Sequence, residues 1–132
     1  MLRLARLLAS VLAFAACATA ATAAVPAMAP KEAARLVAAG EAVLVDCREA
    51  EEWEAGVAAP AVLLPRSDFE GEQKQWRDFL AQNRDRRIIL YCASGSRSGR
   101  LAAKLAAQGL KTANAGSFVA WQAAGLPVRQ PK

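Results

Sequence analysis

Unbroken apolar runs alternate along this chain with stretches of helical, one-sided hydrophobicity. In RIILYC, Arg87 to Cys92, the residues Ile88, Ile89, Leu90 and Tyr91 form a row of β-branched, aliphatic and aromatic side chains. That is the composition of a strand buried on both faces of a parallel sheet. The run breaks into the loop ASGSRSG and then into RLAAKLAAQG, where Leu101, Ala102, Leu105 and Ala106 share one helical face and Gly109 marks the stop. Upstream, Ala42 to Asp46 (AVLVD) reads as a second apolar strand ending in a carboxylate. Ala61 to Leu64 (AVLL), between Pro60 and Pro65, reads as a third. Pro30 opens and Gly40 closes a helix that carries Ala33, Ala34, Leu36 and Val37. Arg48 to Ala55 predicts a short surface helix anchored by Trp53, and Glu72 to Asn83 an amphipathic helix with Gln75, Trp76, Phe79 and Leu80 spaced to bury one face. Leu110 to Asn114 predicts a last strand, and Gly116 to Ala124 follows with Phe118 and Trp121. Strands alternating with helices predict an α/β fold: a mainly parallel central sheet flanked by helices on both faces, with sites gathered at the strands' C-terminal ends.

The first 24 residues do not belong to that pattern. Arg3 and Arg6 precede an apolar run from Leu7 to Ala16, and small residues at A-x-A spacing follow toward Val25 and Pro26. A basic start, a short apolar middle and a small-residue end describe a secretory signal peptide, and the run is too short for a permanent span. Export, to a periplasm, is expected, with cleavage after Ala20, Ala23 or Ala24. Phe14-Ala15-Ala16-Cys17 loosely resembles a lipobox, so membrane attachment is expected only if Cys17 is lipidated. The domain itself is expected over residues 26–130.

Charge and composition narrow the chemistry. The chain has 17 basic and 12 acidic residues, and Arg3 and Arg6 belong to the leader, so the mature protein is only mildly basic. Arg84, Arg86 and Arg87 cluster without interleaved aromatic residues, which reads as a solvated loop rather than a nucleic-acid surface. An anionic small substrate is still attracted. There is no histidine, which excludes serine-histidine and cysteine-histidine dyads and removes the commonest zinc and copper ligand. No metal or other cofactor is expected. Downstream of the leader only Cys47 and Cys92 remain, too few for a disulfide scaffold.

Cys92 sits where the central strand gives way to a glycine- and serine-rich loop and a helix start. In a strand-loop-helix unit the loop amides can turn inward around the sulfur while the helix presents its positive end, and both favour a thiolate. Ala93, Ser94, Gly95, Ser96, Arg97 and Ser98 are therefore the candidate binding residues, with Arg97 adding a fixed cation and the three serines adding hydroxyls. The competing reading of Cys92 is an inert, buried strand-end cysteine. Asp46 and Arg48 lie at the end of another strand on one face, with Cys47 expected on the opposite side. Support of the loop is the role expected of Asp46 and Arg48.

These residues resemble the single-domain rhodanese family from about Pro26 to Val128, and the exported form is similar to the periplasmic phage shock protein E type. VLVDCREAEEWEAG resembles the family's strand ending in Asp-x-Arg followed by a Glu and aromatic helix, here Asp46, Arg48, Glu52 and Trp53. YCASGSRSG resembles its active-site loop at Cys92, Gly95, Arg97 and Ser98. NAGSFVAWQAAGLPV resembles its closing segment, with Gly116, Trp121, Gly125 and Pro127 in register. The chain departs from the pattern at Val57, where the family usually has a histidine, and at Pro60 and Ser117, where it has glycines.

The resemblance implies a rhodanese-like fold and sulfur transfer. Cys92 would attack the outer sulfur of thiosulfate or a similar small anionic donor, hold it as a persulfide and pass it to cyanide or a thiol acceptor. Arg97 would bind the donor's anionic end or pin the loop from behind. Two other readings belong to different classes: a persulfide carrier or binding module serving a protein partner, and a phosphatase or arsenate reductase. The latter place five residues between cysteine and arginine, whereas four, Ala93 to Ser96, intervene here, a smaller ring suited to one added sulfur.

Overall fold

β4 (Arg87–Cys92) is the centre of a parallel sheet because five of its six residues are buried, which an edge strand could not manage. The computed structural model describes residues 25–131. In chain order the elements are α1 (Pro30–Ala38), β1 (Ala42–Asp46), α2 (Ala50–Trp53), β2 (Val57–Ala58), β3 (Val62–Leu63), α3 (Arg66–Glu70), α4 (Lys74–Gln82), β4, α5 (Ser96–Ala107), β5 (Thr112–Ser117), α6 (Phe118–Ala123) and β6 (Val128–Arg129). The main sheet runs β3-β1-β4-β5, all parallel. The signal peptide and the lipobox-like Cys17 lie outside the described residues.

Alternation along the buried strands divides the core in two. One face gathers Leu44, Ile89 and Tyr91 with Ala33 and Leu36 of α1 and Phe118 and Trp121 of α6. The other gathers Val45, Ile88, Leu90 and Cys92 with Trp76 and Phe79 of α4 and Leu101 and Leu105 of α5. Helices therefore cover both faces, as the pattern predicts. Trp76 is core, packed edge-on between Phe69 and Phe79, with its indole N–H donated to the Pro65 carbonyl at 2.9 Å.

Three features depart from the sequence reading. The strand expected over Leu110 to Asn114 is β5, which runs from Thr112 to Ser117, because a bulge opposite Leu90 and Tyr91 carries the pairing on to Gly116 and Ser117. β2 and β6 form a separate antiparallel pair, two residues each, too short to show alternation. The helix α3 begins after only Leu64 and Pro65 beyond β3, and only its Phe69 is buried. In addition, Ala27 bridges Asn114 alongside β5, with hydrogen bonds from Met28 N–H to the Asn114 carbonyl (2.9 Å) and from Asn114 N–H to the Pro26 carbonyl (3.0 Å).

Candidate active site

The C-terminal end of β4 delivers Cys92 into a turn that becomes α5, and Gly95 makes that turn possible. Gly95 has φ +91°, and a Cβ there would lie 3.2 Å from the Gly116 Cα, so both its conformation and its neighbour require glycine. Turned this way, the loop aims its donors inward. The Gly95 N–H reaches the Cys92 Sγ at 3.1 Å, the Ser98 N–H at 3.4 Å and the Ser98 hydroxyl at 3.3 Å. Burial by itself pushes the thiol up; the Ser98 hydroxyl and the amides of Ser98, Ser94 and Gly95 more than offset it, and the net direction is downward. The α5 N-terminus adds its partial positive charge. Cys92 is nonetheless fully buried, covered by the loop whose outer residues Ala93, Ser94 and Ser96 are exposed.

Arg97 does not stand free in this pocket. Its guanidinium makes a two-pronged contact with the Glu52 carboxylate, at 2.6 and 2.8 Å, tying α5 to α2. Of the two sequence readings of Arg97, the geometry is that of a residue pinning the loop. Ser94 and Ser96 put no hydroxyl on the sulfur: the Ser94 hydroxyl accepts the Ser96 N–H at 3.4 Å, a turn interaction. Ser98 is the one serine of the three whose hydroxyl reaches it.

Asp46 and Arg48 form a buried base beneath the loop. Arg48 donates to Asp46 through Nε (3.1 Å) and Nη2 (2.7 Å), and to the carbonyls of Gly56 (2.8 Å) and Glu52 (3.3 Å). Tyr91 donates its hydroxyl to Asp46 at 2.5 Å and accepts the Ala58 N–H at 2.9 Å. The guanidinium also lies 4.4 Å from the centre of the Phe118 ring. Arg48 thus holds the backbone of Glu52 while Glu52 holds Arg97, and support reaches the loop through two arginines.

Asn114 is a site residue that the sequence reading did not single out. Its Nδ2 donates to the Gly95 carbonyl at 2.9 Å, and its Oδ1 accepts the Gly116 N–H at 3.0 Å and faces the Ser98 hydroxyl at 2.8 Å. These partners set the amide orientation, so the single Ser98 proton is shared between Asn114 and the sulfur. The available signal was an asparagine inside a strand, a poor strand former between alanines.

Cys47 faces away from Asp46, as expected, and that side of the strand is also the side of Cys92: both thiols belong to one buried cluster, and both are free. Beside the loop, Arg66, Glu70, Arg97, Arg100, Leu101 and Lys104 line a cavity of about 260 Å³ in which cations outnumber the single carboxylate.

A parallel α/β sheet with a cysteine cradled at the C-terminal end of its central strand is the arrangement of the rhodanese-like class. Residues 29–124 match the family described as Rhodanese-like domain. The chain belongs to that family. It is 35% identical over 101 residues to the thiosulfate sulfurtransferase GlpE of Actinobacillus succinogenes, an alignment covering 75% of this chain and 86% of the relative. It is also 35% identical over 63 residues to the tRNA uridine(34) hydroxylase of Erwinia tasmaniensis, covering 48% of this chain but only 18% of that protein. Among solved structures, a rhodanese-related protein from Thermoplasma volcanium superposes with a TM-score of 0.67 at 22% identity, covering 80% of this chain and 99% of the other.

Proposed function

We propose that the chain is a sulfurtransferase that takes a sulfane sulfur from thiosulfate or a similar anionic donor onto Cys92 and passes it to cyanide or a thiol. The observation that carries this reading is the set of donors on the Cys92 sulfur, two amides and one hydroxyl, in a chain that has no histidine to act as its base. A thiolate prepared in this way attacks the outer sulfur of the donor, whose remaining part leaves as an anion. The same donors then hold the charge of the bound persulfide. Because Cys92 is covered, admitting the outer sulfur requires the exposed lip, Ala93 and Ser94, to give way. The basic cavity beside Arg97 supports attraction of an anionic donor, and Arg100 contributes an exposed cation there.

The GlpE relative, itself a thiosulfate sulfurtransferase, supports the same reaction class. The four-residue spacing between Cys92 and Arg97 favours one added sulfur over a phosphoryl group, and a persulfide carrier for a protein partner would use the same sulfur. Export to the periplasm, through removal of residues 1–24, is part of the proposal.

The deciding experiment compares wild type and Cys92→Ser with thiosulfate as donor and cyanide as acceptor. Thiocyanate formation by wild type and none by Cys92→Ser is expected. Equal turnover by both proteins would reject the assignment, and efficient hydrolysis of an aryl phosphate by wild type would favour the phosphatase reading.

A further inference from the structure

The described residues hold one buried nucleophile that sulfur transfer leaves unused. β1 and β4 pair with Asp46 opposite Tyr91, a pairing that the Cys47 N–H closes by donating to the Tyr91 carbonyl at 3.1 Å. Cys47 and Cys92 each follow that pair by one residue, Cys47 just past the end of β1 and Cys92 as the last residue of β4. Neighbouring strands lie about 4.8 Å apart, within the ~4.4–6.8 Å between Cα atoms that a disulfide spans. Both side chains are fully buried and point to the same face of the sheet. The Cys47 thiol donates to the Tyr91 carbonyl at 3.4 Å, so it is held against the peptide that joins Tyr91 to Cys92 at the end of β4.

We propose that Cys47 is an internal resolving thiol that discharges the Cys92 persulfide as hydrogen sulfide and closes a Cys47–Cys92 disulfide. The proposal rests on the sulfurtransferase reading above. In the step, a bond forms between the two cysteine sulfurs while the bond from the Cys92 sulfur to its added sulfur breaks. The added sulfur leaves with that electron pair and takes the Cys47 proton. Counted from two thiols and a sulfane sulfur, two electrons pass from the cysteine pair to the departing sulfur, so no outside oxidant is needed. An external dithiol is the reductant that reopens the disulfide for another round.

The surroundings make this step slower than transfer to a good external acceptor. Burial, with Cys92 and Asp46 nearby, pushes the Cys47 thiol well up, so it is mostly protonated and a weak nucleophile. Loading Cys92 moves negative charge from the inner sulfur, which Cys47 must attack, to the outer one. Cys47 then acts when no acceptor arrives, clearing a stalled persulfide and leaving a form that no longer accepts sulfur until it is reduced.

The test uses the full chain, reduced, charged with thiosulfate, freed of excess donor and kept without added thiol. Intact mass and released sulfide are followed in wild type, Cys47→Ser and Cys47→Ala. In wild type, the species heavier by one sulfur is expected to give way to one lighter than the reduced chain by two hydrogens. About one sulfide should be released per chain, and the tryptic peptides 36–48 and 88–97 should become cross-linked. Both variants are expected to gain the sulfur and keep it. Gain of sulfur by either variant shows that its site is intact. A wild-type persulfide as long-lived as that of the variants overturns the proposal while leaving the sulfurtransferase reading standing. Failure of wild type and both variants to gain sulfur or release sulfide removes both.

Discussion

Arg97 and Glu52 meet side chain to side chain at 2.6 and 2.8 Å, so the arginine of the nucleophile's loop is neutralised by a carboxylate from α2. The hydrogen bonds from Arg97 hold Glu52 down at about 2, against the opposing effect of partial burial. Glu52→Gln is expected to keep the fold and lower kcat/KM for thiosulfate by roughly tenfold, because one lost charge-assisted pair contributes on the order of 1.5–3 kcal/mol to holding the loop. Steady-state kinetics at neutral pH check it. An unchanged kcat/KM would mean that the loop does not depend on the pair.

The same pair sets a pH dependence. Glu52 is depressed in the folded state, so its stabilisation is fully present above the ordinary carboxylate value of 4.5 and is lost as pH falls toward about 2. Across that window the unfolded chain binds more protons, so stability falls with acidification. Denaturant titrations of wild type and Glu52→Gln are expected to converge as pH drops from 4.5 toward 2. Glu52 is partly exposed, which keeps the effect modest.

The Ser98 hydroxyl is the largest of the influences drawing the Cys92 titration downward. Ser98→Ala removes it while the Ser98 and Gly95 amides remain, so the titration midpoint of Cys92 should move up. Alkylation rate against pH reads the midpoint directly. Asn114→Ala should move it the other way, since Ser98 then has the sulfur as its one nearby acceptor.

Gly95 and Gly109 separate loop shape from backbone strain. Both have positive φ, +91° and +88°, but a Cβ at Gly95 meets the Gly116 backbone, whereas at Gly109 it meets nothing within 4 Å. Gly109→Ala should cost about 1–2 kcal/mol of stability and leave activity intact. Gly95→Ala should lose most of its activity, because the loop must move away from Gly116 and take its amides off the sulfur. Thermal melts paired with turnover assays distinguish the two.

Asp46→Ala tests the buried base. It strands the Arg48 guanidinium and the Tyr91 hydroxyl without their carboxylate, and removing one partner of a buried pair costs roughly 3–5 kcal/mol. A shift of the denaturation midpoint measures it; a loss below ~1 kcal/mol would show that water replaces the carboxylate.

Ile88 to Tyr91 could be read as a doubly buried strand because burial on both faces requires apolar side chains without alternation. The run from Ala42 to Asp46 could be read for the same reason, and the loop after Cys92 was legible from its glycines. β2 and β6 were not legible, because two residues carry no period, and neither was the bulge that extends β5 to Ser117. Glu52 was visible as a motif residue, but its contact with Arg97 spans 45 positions. Local pattern holds nothing about such a distance.

From residue order alone came the elements, the α/β class, the cysteine at a strand's C-terminal end and the loop around it, since these depend on periodicity, composition and short-range turn chemistry. Tertiary structure alone decided that Arg97 pairs with Glu52, that Asn114 shares the Ser98 proton with the sulfur, and that Cys47 lies beside Cys92. Each of these depends on the register between strands and the packing of helices against them, and alternation along one strand names two faces without saying which of them a neighbour will share.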